Sequence, residues 1–173
     1  GLINHIDTQI GRLLQYLRDN RLFDDTFILF ASDHGEMLGD HNMLAKCRPF
    51  EQSARVPFLA LAPRPFGFPG ALVIASPVGL PDVMPTLLDA AGSVVPESVT
   101  GTSVLPLMRN EEADWRDFLH GEHAGQYRYE DGMHFLTDGR DKYIWYSQTG
   151  KEMLGDGGYE NHKHPPSIFS RLI

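Results

Sequence analysis

FILFASDHGEMLGDHNMLAK, residues 27–46, decides how this chain is read. A greasy run, Phe27-Ile28-Leu29-Phe30-Ala31, stops abruptly on Ser32-Asp33-His34-Gly35. The run lacks polar–apolar alternation, so it predicts a strand over 26–31 buried on both faces, as in a parallel sheet. In open α/β sheets ligands bind at the carboxyl ends of strands, which is where Asp33 and His34 fall. A carboxylate oxygen and an imidazole nitrogen are both metal ligands, and together they suit Mg²⁺, Mn²⁺, Ca²⁺ or Zn²⁺. Neighbours on a straight strand face opposite ways, but a glycine next in line lets the backbone turn and aim both inward. Spacing alone also allows a capped turn and an ordinary polar histidine, because adjacent Asp-His lacks the specificity of a helical metal motif.

Working outward, Ile3, Ile6, Ile10, Leu13, Leu14 and Leu17 recur at helical spacing and predict an amphipathic helix over 2–19. Helix followed by buried strand is half of an α/β repeat. Residues 32–54 form a long polar loop, and loops of that length in compact domains usually carry function. A second strand is expected over 56–62, a short one over 72–75, a helix opening at Asp82, running to about Ala91 and stopped by Gly92, and a short helix over 102–109. Strand-like pieces then follow over 118–122, 133–137, 142–147 and 151–154, with turns at Asp138-Gly139 and Thr149-Gly150. The expected fold class is therefore α/β: a partial mixed or parallel sheet with flanking helices, followed by a small antiparallel C-terminal sheet. The expected division is an α/β core over 1–112, the small sheet over 113–154 and a loose tail over 155–173.

The composition is that of a globular chain, 42% hydrophobic and 22% charged over 173 residues. A formal net charge of -8 repels polyanions, so no nucleic-acid partner is expected. No stretch approaches the roughly 20 apolar residues of a membrane span, and no signal peptide is visible, so no membrane partner is expected and the compartment stays open. One cysteine, Cys47, forbids an internal disulfide.

The motif SDHGEMLGDHNMLAK followed by FEQSARVPF, together with PVGLPDVMPTLLDAAG, GTSVLPLMR and DKYIWY, resembles the sulfatase family of the alkaline phosphatase superfamily. The resemblance runs in order over most of the chain. It implies that Asp33 is a metal ligand, that His34 sits beside that metal, and that Lys46 contacts the sulfate or phosphonate oxygens. It implies a small anionic ester as substrate, a divalent ion as cofactor, and a nucleophile in the form of a formylglycine made from a C/S-x-P-x-R motif. Cys47-Arg48-Pro49-Phe50-Glu51 begins as that motif does, but its fifth residue is Glu51 rather than Arg. The nucleophile and the remaining acidic ligands are therefore expected in an N-terminal half that precedes these residues. Two ligands rarely hold a catalytic ion, so the chain alone is expected to bind metal weakly and to turn over no ester. The expected function is the C-terminal part of a metal-dependent sulfuric ester hydrolase. The alternatives are a phosphonate or phosphate ester hydrolase of the same superfamily, or a non-catalytic anion-binding or interaction fragment. Apolar surface left open would favour self-association or pairing with the missing half.

The remaining polar residues are assigned supporting roles. His41 could contact substrate, but it is expected to stabilise the loop through a hydrogen bond, and Glu51 and Arg55, four apart, to pair and order it. His120 and His123 resemble a zinc pair, but on a strand an offset of three places them on opposite faces. His162 and His164 are no more than adventitious ligands. Trp115, Trp145, Tyr143 and Tyr146 are expected to pack the small sheet. After residue 154, Gly155-Asp156-Gly157-Gly158 departs from the family pattern.

Overall fold

A computed structural model describes residues 1–123, 133–146 and 167–171. Helix α1 spans Leu2–Asp19, as its apolar spacing predicts. Asn20 ends it, with both its backbone N–H and its side-chain amide donating to the Tyr16 carbonyl. Of the apolar residues of α1, Leu2, Ile3, Ile6 and Leu13 are exposed, while Ile10, Leu14 and Leu17 are half-buried. Strand β1, Ile28–Ala31, follows a single turn over Phe23–Asp25.

β1 pairs with β2, Phe58–Leu61, and the pairing is antiparallel with Ile28 opposite Leu61 and Ala31 opposite Phe58. This corrects the expectation of a parallel partner buried on both faces. The lack of alternation in FILFA reflects apolar side chains on both sides of a two-stranded ribbon, of which Phe30, Leu59 and Leu61 remain exposed. No strand forms over 72–75, where the chain runs irregularly between Gly70 and Gly79. Between the two strands lies the 32–54 loop, which contains a turn at Asp40–Asn42 and the short helix α2, Glu51–Ala54.

Helix α3, Val83–Ala90, extends a 3₁₀ turn over Leu80–Asp82. Gly92 at φ +67° closes it, with the Ser93 N–H donating to the Leu88 carbonyl at 2.8 Å, a glycine-ended helix stop. Helix α4 is Leu105–Met108. Asp82 is the hub of this region. It is fully buried and accepts from the Gly79 N–H (2.9 Å), the Thr102 N–H (2.9 Å) and both terminal nitrogens of Arg116 (2.8 and 2.7 Å). Its carboxylate therefore joins segments twenty and thirty-four residues away.

The C-terminal sheet is an antiparallel meander in the order β3 (Leu119–His123), β4 (Met133–Thr137), β5 (Asp141–Tyr146), β6 (Ser167–Arg171). β6 falls in the segment expected to be a loose tail. A five-residue strand isolated behind Gly- and Pro-rich sequence has no period long enough to read. The expected 151–154 strand, the Thr149-Gly150 turn, His162 and His164 lie outside the described residues.

One face of this sheet carries Met133, Phe135, Lys142 and Ile144, and against Met133 and Ile144 packs Phe50 of the 32–54 loop. Lys142 is 2% exposed. Its ammonium donates to the Pro49 carbonyl (2.9 Å) and to the Glu51 carboxylate, and lies 4.7 Å from the Phe135 ring centre. The aromatic residues depart from expectation. Trp145 and Tyr143 stand on the opposite, more open face, each more than 40% exposed. Trp115 lies before the sheet and donates its indole N–H to the Pro77 carbonyl at 2.9 Å.

Candidate metal centre at the end of strand β1

The strand ends at Ala31, and the Ser32 hydroxyl immediately donates to the His34 carbonyl at 2.8 Å, bending the backbone within two residues. Gly35 then lies against α2. Its N–H donates to the Ser53 carbonyl at 2.8 Å, and a β-carbon at this position would sit 2.0 Å from the Gln52 carbonyl oxygen. Only glycine permits that approach. The turn and the α2 helix thus hold each other.

Within the turn, Asp33 and His34 present ligand atoms to one point. Asp33 Oδ2 and His34 Nε2 are 3.5 Å apart. His34 Nδ1 lies 2.8 Å from the Gly35 carbonyl oxygen. A carbonyl can only accept, so Nδ1 carries the proton and Nε2 offers its lone pair beside the carboxylate. A backbone carbonyl that fixes the tautomer in this way is the usual support of a metal-binding imidazole. The His34 N–H also donates to Asp33 Oδ1 at 2.9 Å, and chiefly for that reason the Asp33 carboxyl is held below the usual carboxylate range. It is therefore an anion throughout the neutral range. Both side chains are open to solvent, Asp33 more so than His34. The donor set, one carboxylate oxygen and one neutral imidazole nitrogen sharing a point, fits a divalent ion.

The rest of the loop is folded back over this turn. The Met37 N–H donates to the Ala45 carbonyl at 2.8 Å, which places the exposed Lys46 one residue beyond a backbone contact to the segment that carries Asp33. Leu38, His41, Asn42, Ala45 and Cys47 all have positive φ. Such backbone strain in non-glycine residues collects where surrounding contacts over-determine the conformation, commonly at functional sites. The over-determining contacts are visible. His41 stacks on Phe50, ring centres 4.3 Å apart. Phe50 in turn is seated on the sheet core, and Ser53 Oγ accepts from the Arg48 N–H at 3.2 Å.

Glu51 and Arg55 do approach, at 3.8 Å, but Glu51 makes its closer bond to Lys142. That partner, ninety-one residues away, has no local sequence signal. Because the buried ammonium is matched by Glu51 and by the Pro49 carbonyl, the pair fixes the register of the loop against the sheet more than it adds net stability. His120 and His123 lie on opposite faces of β3, as their spacing predicts. Sequence reasoning missed a grouping of His120 with Glu122 and His134, which only the β3–β4 register brings about.

The α/β lead-in delivers a carboxylate and an imidazole to a strand end as a candidate metal site, and comparison with known proteins gives the chain a family. The sulfatase family model matches residues 1–93. An arylsulfatase of Clostridium perfringens is 44% identical over 158 residues, covering 90% of this chain and 32% of that protein. The multifunctional alkaline phosphatase superfamily protein PehA of Trinickia caryophylli is 39% identical over 123 residues, 70% of this chain and 24% of that protein. The crystal structure of the phosphonate monoester hydrolase of Agrobacterium radiobacter superposes with a TM-score of 0.74 at 31% identity, covering 83% of this chain and 31% of that one. The chain belongs to the sulfatase family. It spans about a third or less of the length of these relatives. No helix among the described residues is long and apolar enough to cross a membrane.

Proposed function

We propose that this chain supplies the carboxylate, imidazole and ammonium of a metal-dependent sulfuric ester hydrolase, acting on a small anionic ester. The observation that carries the proposal is the shared point between Asp33 Oδ2 and His34 Nε2, with the imidazole tautomer set by the Gly35 carbonyl. A divalent ion bound there would supply Lewis-acid polarisation of an ester oxygen. Asp33 contributes the anionic ligand, already ionised at neutral pH. His34 contributes the neutral one. Lys46 binds and orients the sulfate oxygens and offsets the negative charge they carry, while the electron pair of the breaking S–O bond leaves with the ester oxygen. Membership of the sulfatase family and the names of its relatives support the reading as an ester hydrolase.

The nucleophile is not Cys47. The fifth residue of its C-x-P run is Glu51, an acid paired with Lys142 and Arg55, where a C/S-x-P-x-R motif has arginine. The nucleophile, a formylglycine, and the further acidic ligands belong in this proposal to a longer polypeptide. Phosphonate or phosphate ester hydrolysis is the second reading, favoured by the superposition on the phosphonate monoester hydrolase. Both centres are tetrahedral and carry anionic oxygens, with carbon at one corner of a phosphonate, and Lys46 serves either.

The test uses the 173-residue chain with Mn²⁺, an aryl sulfate and an aryl phosphonate. The expected result is turnover of neither above the protein-free rate. Inorganic sulfate is expected to tighten Mn²⁺ binding by about fivefold or more, the usual scale of coupling between adjacent sites. Lys46→Ala is expected to remove that coupling while Mn²⁺ still binds. Efficient turnover by the chain alone would overturn the placement of the nucleophile. Sulfate-independent Mn²⁺ binding would overturn the role of Lys46.

A further inference from the structure

We propose that His120, Glu122 and His134 form a second divalent-metal site, selective for Zn²⁺, on the open face of the C-terminal sheet. Alternation along β3 puts His120 and Glu122 on one face, and the β3–β4 register sets His134 directly opposite Glu122. His120 Nε2 and His134 Nδ1 are 3.3 Å apart, Glu122 Oε2 lies 3.9 Å from the same His134 nitrogen, and all three ligand atoms fall within 4.8 Å of one another. Zinc–nitrogen bonds of about 2.05 Å in a tetrahedron place ligand nitrogens about 3.3 Å apart. The histidine pair already has that edge length, and a small rotation of the solvent-facing Glu122 carboxylate closes the third corner. Two imidazoles and one carboxylate with a fourth, open position is a zinc donor set, with Ca²⁺ and Mg²⁺ disfavoured by the nitrogen ligands.

The backbone prepares the arrangement. Gly121 stands between the two β3 ligands, and a β-carbon there would meet the Phe135 ring at 2.1 Å on the opposite face. The far edge of the Phe135 ring thus fills the space over Gly121, which fixes the register that sets His134 opposite Glu122. The His134 ring is supported by stacking on His120 (5.5 Å between centres, 16° between planes) and by contact with Trp145 (5.2 Å). The inner face of the sheet is the one packed against Phe50 and the Asp33 loop, so this cluster belongs to the other side of the sheet from that loop. The plain alternative is a solvated cross-strand pair in which one imidazole donates to the other and Glu122 stands apart.

The experiment is Zn²⁺ titration by calorimetry of the full chain carrying Asp33→Asn, His34→Ala, His162→Asn and His164→Asn, so that other donors are removed. One equivalent is expected to bind saturably. His134→Asn or His120→Asn in that background is expected to weaken binding at least about tenfold, whereas His123→Asn, on the other face, leaves it unchanged. Imidazole nitrogen spectra are expected to show His120 Nε2 and His134 Nδ1 shifting on Zn²⁺ addition, with circular dichroism confirming that each variant is folded. Non-saturable binding, or saturable binding indifferent to His134→Asn, overturns the proposal. Because the background lacks Asp33 and His34 ligation, its outcome is independent of the proposed hydrolase site.

Discussion

Gly35→Ala is expected to weaken Mn²⁺ binding at the end of β1 by about 10- to 100-fold, the range seen when groups that orient metal ligands are disturbed. The added methyl would stand 2.0 Å from the Gln52 carbonyl oxygen, and that oxygen belongs to the backbone of a helix, not to a side chain that can swing away. One segment must therefore move by about an ångström to reach ordinary contact. Movement of Gly35 lengthens its N–H bond to the Ser53 carbonyl and shifts the carbonyl to which His34 Nδ1 donates. The imidazole then loses the contact that fixes its tautomer, and Nε2 no longer shares a point with Asp33 Oδ2. Calorimetric titration of the folded variant measures the effect. An affinity equal to that of the parent chain would show that the Gly35 contact does not position His34.

Asp82→Ala is expected to destabilise the chain by about 3–5 kcal/mol, because it strands a guanidinium and leaves two backbone N–H groups without their acceptor. Losses of that size compete with the whole stability of an ordinary domain. Asp82 is fully enclosed, while Arg116 keeps a quarter of its side-chain surface in solvent, so part of the guanidinium cost is recovered by hydration and the lower end of the range applies to that partner. The Gly79 and Thr102 N–H groups, both in part-buried bonds to Asp82, lose their acceptor as well. A fall in midpoint of about 6–20 °C follows for a chain of this size, measured by thermal unfolding. Asp82→Asn keeps the shape but loses charge and one acceptor, and is expected to fall between the two. A midpoint within a degree or two of the parent would contradict the hub role.

The contrast between these residues explains what the sequence made legible. α1, the strand end at Ser32-Asp33-His34-Gly35, the Gly92 stop and the Asp138-Gly139 turn are local: period, punctuation and turn chemistry lie within a few residues of one another. The sulfatase resemblance was legible for the same reason, since its motifs are contiguous. Asp82 was read only as the start of a helix, because Thr102 and Arg116 reach it from distant positions. Lys142 looked like one polar residue of a strand, although it is the group that ties Pro49 and Glu51 to the sheet. The pairing of β1 was misjudged because apolar residues on both sides of a short strand do not reveal the direction of its neighbour. The histidine grouping at β3 and β4 needs a strand register that no spacing supplies. Long-range side-chain bonds and strand register, then, are what structure adds here.

The measurement that bears most directly on the site is relaxation broadening by Mn²⁺ in the presence of sulfate, recorded on the chain carrying His134→Asn so that the sheet cluster cannot compete. The account predicts that the imidazole resonances of His34 and the ε-methylene resonances of Lys46 broaden together at substoichiometric Mn²⁺. Broadening of His34 with Lys46 left sharp, or broadening of neither, would contradict a common pocket for the three groups.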